Sequence, residues 1–382
     1  MRRLTLPMIL LAVAACKPAG GSPEAEPAAA DLPAAPAGWH RPKLIDAHAH
    51  LSPFAIPVIR RIMDENGVEY VVNLSGGNHA DGDIEYSLKL AKVMEGRVVN
   101  CYNPDWYRID EPDFGVVEAR RLADSVAKGF RCLKIAKALG LFVRHGSGVL
   151  LEVDDPALDP LWAAAGRLGV PVYVHVADPK AFFRPCDETN ERWAELQVHP
   201  SWCFHGQGFP SFDELLDAFE RVVAKHPATT FIGVHLGNAA EEPDRVARML
   251  AAYPNYYVDI AARVPEFGRH PPEKMRAFFV RWQDRVLFGT DVVFSPRHIM
   301  LGSTGTDRPT PDDARRFYQA HFRYFETQDR QIEHPTPIQG SWRIDAVGLP
   351  AEVLEKLYRK NAERLLKLGS GPGATPPAPS PF

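Results

Sequence analysis

Residues 43–50 read KLIDAHAH, a short apolar run that ends in two histidines with one residue between them. The pattern predicts a β-strand, in which alternate side chains share a face, so His48 and His50 are expected to point the same way, about 7 Å apart. Two imidazoles on one face of a strand end can chelate a divalent metal. The alternative is a polar strand end with incidental histidines, and the rest of the chain decides between the two.

The rest of the chain alternates apolar strands with amphipathic helices. Further strands are predicted at residues 69–73, 97–101, 130–135, 170–175, 229–235, 256–260 and 286–288, and helices at 57–65, 84–94, 114–127, 158–168, 212–225, 241–252 and 272–282. Continuously apolar strands are typical of parallel strands that are covered on both sides. The pattern therefore predicts one α/β domain at residues 41–368, a single (β/α)8 TIM-type barrel with long loops after strands 5 and 8, at 178–210 and 293–350. An open doubly wound sheet is the weaker alternative, because no GxGxxG motif follows the first strand.

Composition and charge limit the class of protein. The 382 residues carry a net charge of -4, which argues against a nucleic-acid surface. With 24% charged and 45% hydrophobic residues, the chain has the composition of an ordinary soluble protein with a core of normal size. Past the N-terminus, no apolar run is long enough to span a bilayer. Residues 369–382 are rich in Pro, Gly, Ser and Ala and are predicted to form a disordered tail.

The N-terminus has the pattern of a targeting segment. Arg2 and Arg3 precede an apolar run at 4–15 that is too short for a transmembrane helix, so residues 1–15 are predicted to be a signal peptide. The run ends in LAVAAC, which resembles the lipobox of bacterial lipoproteins and implies cleavage before Cys16 and lipidation of its thiol. An ordinary secretory signal is the alternative. Residues 16–40 are then a flexible tether, and we expect an exported lipoprotein that faces the periplasm and is held to the membrane by its lipid alone.

Several later strands also end in a residue that can bind metal or carry a proton. These residues are Lys134, His175, His235 and, in the sequence FGTD at 288–291, Asp291. Each alone has a simpler explanation: a polar cap, a helix N-cap for Asp291, or a lysine whose amine reaches solvent at the barrel rim. In a barrel, however, the carboxyl ends of all strands surround one mouth, so these side chains and the two histidines of the first strand are expected to converge.

The order of these motifs resembles the amidohydrolase superfamily. The resemblance is to its amidohydrolase-2 branch, which includes the aminocarboxymuconate-semialdehyde decarboxylase-like enzymes. It is carried by the DxHxH and FGTD motifs and the sequence around them, and it covers residues 43–368. The resemblance implies a divalent metal, with zinc as the expected ion, bound by His48, His50, His175 and Asp291. In mononuclear relatives His235 would activate or orient the water. In binuclear relatives a carbamylated Lys134 would bridge two ions and His235 would bind the second.

The metal and the carboxylate together explain the expected chemistry. A bound divalent ion lowers the pKa of water towards about 7 and polarises a carbonyl group. Asp291 can ligate the ion, accept the proton of the attacking water and pass it to the leaving group, while His235 stabilises charge or shuttles protons. Candidate substrate-binding residues stand at the predicted barrel mouth: Arg263, Arg297, Asp178, Asn190 and Arg192. Arginine can bind a carboxylate in bidentate fashion, and the equally open alternative is that these residues tie loops together.

The cysteines suggest little metal binding. Cys101 and Cys132 lie in apolar strand-like runs and are expected to be buried thiols rather than ligands. Cys186 and Cys203 lie in one long loop, where a disulfide would be allowed in an oxidising compartment.

Together these features predict a metal-dependent hydrolase in which activated water attacks an amide, ester or lactone carbonyl of a small molecule. A non-oxidative carboxy-lyase using the same metal site is the first alternative. The second is a non-catalytic periplasmic binding protein on a degenerate barrel, which is weaker because no expected ligand position is missing.

Overall fold

The computed structural model describes residues 38–80, 82–296, 298–303 and 308–368. The predicted signal peptide, Cys16, most of the tether, Arg297 and the C-terminal tail lie outside these residues. Within them, no helix is both long and apolar enough to cross a membrane.

Ten strands form one sheet, in the order β10-β9-β1-β2-β3-β4-β5-β6-β7-β8. Their bounds are β1 Leu44–Leu51, β2 Val68–Asn73, β3 Val98–Tyr102, β4 Cys132–Ile135, β5 Val172–Val174, β6 Phe231–Gly233, β7 Tyr256–Asp259, β8 Val286–Leu287, β9 Val292–Phe294 and β10 Ile299–Leu301. Every pairing is parallel except the hairpin of β9 and β10.

The predicted eighth strand closes the sheet into a barrel. In the structure it extends past the predicted range 286–288 and has two pieces: β8 pairs with β7, and β9, at the start of the predicted loop 293–350, pairs with β1. The four residues between them remain hydrogen-bonded to the first strand: Ala47 N donates to Phe288 O at 2.9 Å, and Asp291 N donates to His48 O at 2.8 Å. The interrupted strand therefore contacts both neighbours, as the (β/α)8 prediction requires.

A helix of ten or more residues follows each of the eight predicted strands. These helices span Ile56–Glu65, Asp83–Val93, Phe114–Ala127, Asp159–Leu168, Phe212–Lys225, Pro243–Ala252, Pro272–Arg281 and Pro311–Glu326. The chain ends in consecutive helical segments, Ala351–Glu355, a π-helical turn Lys356–Lys360, and Asn361–Leu366. The sequence pattern therefore predicted the type and order of the first seven of these helices, and no predicted end is displaced by more than two residues.

The two long loops contain short ordered pieces. The loop after β5 holds three turns, Lys180–Phe183, Trp193–Leu196 and Pro200–Trp202. After β9 come β10, the helix Pro311–Glu326 and a turn at Pro337–Gln339. Both loops leave the carboxyl ends of strands, where barrel enzymes place their sites.

The barrel interior has its own apolar cluster. It is built from strand residues such as Ile45, Val72, Ile232 and Leu287, and Leu366 of the last helical segment packs against them. The other faces of the strands belong to the larger core that the surrounding helices cover. The interior cluster therefore makes the barrel apolar below the polar side chains of the strand ends.

The cysteines of the interior correct one expectation. Cys101 of β3 and Cys132 of β4 are register partners and form a disulfide, with 4.4 Å between their Cα atoms, instead of two free thiols. The sequence places both in buried strands but does not reveal the register that brings them together. Cys186 and Cys203 also form a disulfide, within the loop after β5.

Candidate metal centre

Asp46 joins the two strands that carry the proposed ligands. It is fully buried, and its Oδ1 accepts hydrogen bonds from the backbone N–H of His48 at 3.2 Å and of Thr290 at 3.1 Å. Its Oδ2 accepts from the hydroxyl groups of Thr290 and Tyr318. These bonds fix the end of β1 against the segment that precedes Asp291, a residue with a positive φ of 61°.

His48, His50 and Asp291 form a compact group. Their ligand atoms all lie within 4.8 Å of one another. Asp291 Oδ1 is 3.2 Å from Nε2 of His48 and 3.3 Å from Nε2 of His50. Two ligand atoms bound tetrahedrally to one ion at about 2.1 Å are about 3.4 Å apart. The two distances from Asp291 Oδ1 match this spacing, so the three side chains suit a divalent metal.

The second ring nitrogen of each histidine is anchored. Nδ1 of His48 lies 2.8 Å from Oδ2 of the fully buried Asp259, and Nδ1 of His50 lies 2.6 Å from Oγ of Ser75. Such hydrogen bonds are the usual support of metal-binding histidines, because they hold the proton on Nδ1 and leave Nε2 free to ligate.

His175 and His235 stand beside this group but not in it. The His235 ring centroid is 4.9 Å from that of His48 and 4.5 Å from that of His175. Nε2 of His175 is buried, makes no hydrogen bond among the described residues, and lies 3.4 Å from Oδ1 of Asp178. A buried imidazole nitrogen with no hydrogen-bonding partner suits a metal ligand, so the predicted role of His175 remains a prediction.

The sixth strand ends before His235, which lies in an unusual turn. Residues 235–238 all have positive φ, between 52° and 71°, and three of them are not glycine. Left-handed conformations cost roughly 1–2 kcal/mol for each such residue. The turn is held by the side chain of Asn238, whose Nδ2 donates to Val174 O and whose Oδ1 accepts from Val176 N. Strain of this kind is concentrated at functional sites.

Lys134 points into the barrel beneath the group. Its side chain is buried, and its Nζ has no hydrogen-bond partner among the described residues. Burial lowers the pKa of Lys134 to about 8, although the carboxylates of Asp259 and Asp291 oppose the shift. Carbamylation requires the neutral amine, and the lowered pKa of Lys134 makes that form easier to reach, as the binuclear arrangement needs.

The protonation states of Asp291, His50 and His175 suit metal binding, while that of His48 opposes it. Burial would raise the pKa of Asp291, but His48 and the hydrogen bond from His50 hold it well below the usual range. Burial lowers the pKa of His50, and it lowers that of His175 to about 4. For His48, burial lowers the pKa, but Asp259 and Asp291 outweigh it and raise the pKa. Metal binding at His48 is therefore expected to release a proton.

The predicted substrate-binding residues separate into two kinds. Arg192 is buried, with Nη2 2.6 Å from Oε1 of Glu266 and Nη1 bound to Gln339 O at 2.8 Å. Asn190 donates to Ala181 O and Pro185 O within its own loop. These are the contacts of residues that tie loops together, the alternative that the sequence left open.

Arg263 and Asp178 lie closer to the histidines. Asp178 is buried and pairs with Lys137, and its pKa is held low because Lys137 and His175 outweigh burial. Arg263 donates to Ala262 O and forms no direct ion pair in the described part of the chain. Its charge is the largest electrostatic influence on His235, whose pKa burial, Arg263 and His175 together hold well below its ordinary value.

Sequence reasoning missed two supporting carboxylates. Asp46 lies in the DxHxH motif, which draws attention to its histidines, and Asp259 ends the seventh strand just as Asp291 follows the eighth. The available signal was the same one used for the other strands, a single charged residue at the end of an apolar run.

Several solved structures are similar to this chain. A protein from Staphylococcus aureus described as an amidohydrolase shares 15% identity, with 85% of this chain and 99% of that chain covered and a TM-score of 0.52. A 2,6-dihydroxybenzoate decarboxylase from Rhizobium shares 16% identity, with 86% and 99% covered and a TM-score of 0.49. An amidohydrolase from Burkholderia multivorans with bound zinc shares 14% identity, with 85% and 99% covered and a TM-score of 0.48. A search of curated proteins found no match.

The family model is decisive. The amidohydrolase-2 model, described as Amidohydrolase, matches residues 45–368, which include every strand and helix of the barrel except the first residue of β1. The match confirms the resemblance that the strand-end motifs indicated. The chain therefore belongs to the amidohydrolase-2 family of metal-dependent enzymes.

Proposed function

We propose that this protein is a metal-dependent hydrolase that cleaves an amide, ester or lactone bond of a small molecule. The observation that carries the proposal is the position of Asp291 Oδ1, 3.2 Å and 3.3 Å from the Nε2 atoms of His48 and His50. These three residues would hold one divalent ion, with zinc as the expected metal, and His175 would supply a fourth ligand. An ion bound there provides Lewis-acid chemistry, which activates water near neutral pH and polarises a carbonyl group.

Asp291 and His235 would move the protons. Oδ1 of Asp291 faces the two histidines, so the other carboxylate oxygen would accept the proton. Nδ1 of His235 lies 2.8 Å from Ala261 O, so that nitrogen donates and Nε2 carries the free lone pair. Because its pKa is held well below its ordinary value, His235 stays neutral at pH 7, and its Nε2 would receive a hydrogen bond from the attacking water.

Arg263 would bind an anionic group of the substrate. It is nearly buried, close enough to His235 to influence its charge, and not committed to a direct ion pair among the described residues. Guanidinium groups recognise carboxylates in bidentate fashion. A carboxy-lyase also needs a carboxylate on its substrate, so the unpaired charge of Arg263 among the described residues favours that alternative as well.

One experiment separates the alternatives. Zinc-loaded protein would be incubated with a panel of amides, esters and lactones, and with aromatic carboxylic acids, while released acid or amine and released CO2 are measured separately. Hydrolysis that requires added zinc supports the proposal. Release of CO2 without hydrolysis assigns the carboxy-lyase activity instead. Ligand binding with neither reaction, by protein that retains no metal, favours the binding-protein alternative.

We also propose that the protein is exported and lipidated at Cys16. The two disulfides support export, because disulfides persist in oxidising compartments. Replacing Cys16 with Ser should abolish membrane association, while Ser22→Ala in the tether, as the matched control, should not. Membrane association that survives Cys16→Ser unchanged would contradict lipidation.

A further inference from the structure

Asp259 makes contacts that no motif of the sequence accounts for. It ends β7, is fully buried, and accepts three hydrogen bonds. Oδ2 lies 2.8 Å from Nδ1 of His48, while Oδ1 accepts from the backbone N–H of His235 at 2.9 Å and of Ala261 at 3.1 Å. One carboxylate thus contacts both a proposed metal ligand and the proposed proton-transfer residue.

The Oδ1 contacts stabilise the strained turn. His235 has a φ of 57°, and its backbone N–H is satisfied by Asp259. Ala261, the second donor to Oδ1, also supplies the carbonyl that receives the Nδ1 proton of His235. Asp259 therefore fixes the backbone of His235 and that of Ala261, whose carbonyl faces the imidazole. These two anchors set the direction in which Nε2 of His235 points.

The Oδ2 contact fixes the tautomer of His48. A carboxylate can only accept, so the Nδ1 proton of His48 is donated to Asp259, and once a metal takes the place of the proton on Nε2 the ring keeps its proton on Nδ1. We propose that Asp259 is a positioning residue that holds His48 in its metal-binding tautomer and so sets the metal affinity of the centre. This inference rests on the proposed metal-dependent function.

The substitution Asp259→Asn tests this directly. The side-chain amide of Asn has a single acceptor oxygen. The backbone N–H groups of His235 and Ala261 both point at the Oδ1 position and need an acceptor there, so the amide oxygen should take that position. The NH2 group then faces Nδ1 of His48 and donates to it. His48 would be driven to the tautomer with its proton on Nε2, which cannot ligate.

The measurement is zinc affinity by competition with a chromogenic chelator. We expect wild type to bind zinc and Asp259→Asn to bind it 10-fold to 100-fold more weakly. The matched control is Glu326→Gln, which also converts a buried carboxylate to an amide but bonds to Arg41 and Tyr358, away from the site. Its zinc affinity should equal that of wild type.

The tautomer itself gives a second readout that does not depend on the variant folding. In zinc-loaded wild type labelled with 15N-histidine, long-range 1H–15N correlation should show His48 protonated on Nδ1. A proton on Nε2 overturns the proposal, as does wild-type affinity in folded Asp259→Asn. Loss of one whole zinc equivalent in that variant would also overturn it, because Asp259 would then be a ligand. Failure of wild type to bind zinc would instead refute the proposed function.

Discussion

Asp291 and His48 stand on adjacent segments of the closed barrel, with Oδ1 of the one 3.2 Å from Nε2 of the other. The backbone reinforces this contact, because Asp291 N donates to His48 O at 2.8 Å. Asp46 bonds to the residues beside both of them. The position of the Asp291 carboxylate therefore follows from barrel closure. Because the backbone holds this position, a substitution of the side chain should change the chemistry of the centre and leave its geometry.

The substitution Asp291→Asn should separate metal binding from turnover. The amide oxygen can still ligate, so we expect most of the zinc to remain, but it cannot accept a proton, so kcat should fall at least about 100-fold. Zinc content and kcat are measured on the same preparation. Asp284→Asn, at the opposite end of the eighth strand, is the matched control and should keep both. Full activity in Asp291→Asn would refute the mechanism.

Lys134→Met should leave one metal equivalent bound. Methionine keeps the apolar stem of the buried lysine and removes the amine that a carbamate would need. The compact group of three ligands already suffices for one ion, so we expect about one zinc per chain in wild type and variant alike. Metal analysis of the two proteins side by side is the test. Two equivalents in wild type that fall on mutation would establish the binuclear arrangement instead.

Removal of the interior disulfide should destabilise the barrel. The Cys101–Cys132 bond joins residues 31 apart, and its loss should lower the free energy of unfolding by about 4 kcal/mol in the double alanine variant. The Cys186–Cys203 bond spans 17 residues, so its removal should cost about 3 kcal/mol. Urea denaturation without reductant measures both. Reactive thiols at Cys101 and Cys132 in denatured, unreduced wild type would show that the interior bond is absent.

His321 should make the protein sensitive to acid. It is buried, its Nδ1 is 2.8 Å from Phe317 O, and burial lowers its pKa to about 4. The unfolded chain therefore binds more protons between pH 6.5 and pH 4, and stability falls as the pH drops through this range.

The substitution His321→Gln measures this effect. The free energy of unfolding of wild type should fall by about 2 kcal/mol more than that of the variant between pH 7 and pH 5. His40→Gln, at an exposed histidine, serves as the control and should follow wild type. Equal pH dependence in wild type and His321→Gln would contradict the assignment.

The sequence predicted well what depends on local pattern. Apolar runs and helical periodicity predicted eight strands and the first seven helices, and parallel strands then required that Lys134, His175, His235 and Asp291 gather at one mouth. What it missed depends on contacts across the fold. The Cys101–Cys132 bond needs the register of β3 and β4, and the role of Asp259 needs the left-handed turn at His235. Arg192 likewise resembles a binding residue until Glu266 is seen beside it.

The most direct test of the central claim is anomalous X-ray diffraction at the zinc edge from crystals of zinc-loaded protein. We predict a peak at the barrel mouth, about 2.0–2.2 Å from Nε2 of His48, Nε2 of His50 and a carboxylate oxygen of Asp291. A zinc peak that contacts none of these three residues, or full occupancy elsewhere with the three side chains still hydrogen-bonded to each other, would contradict the account.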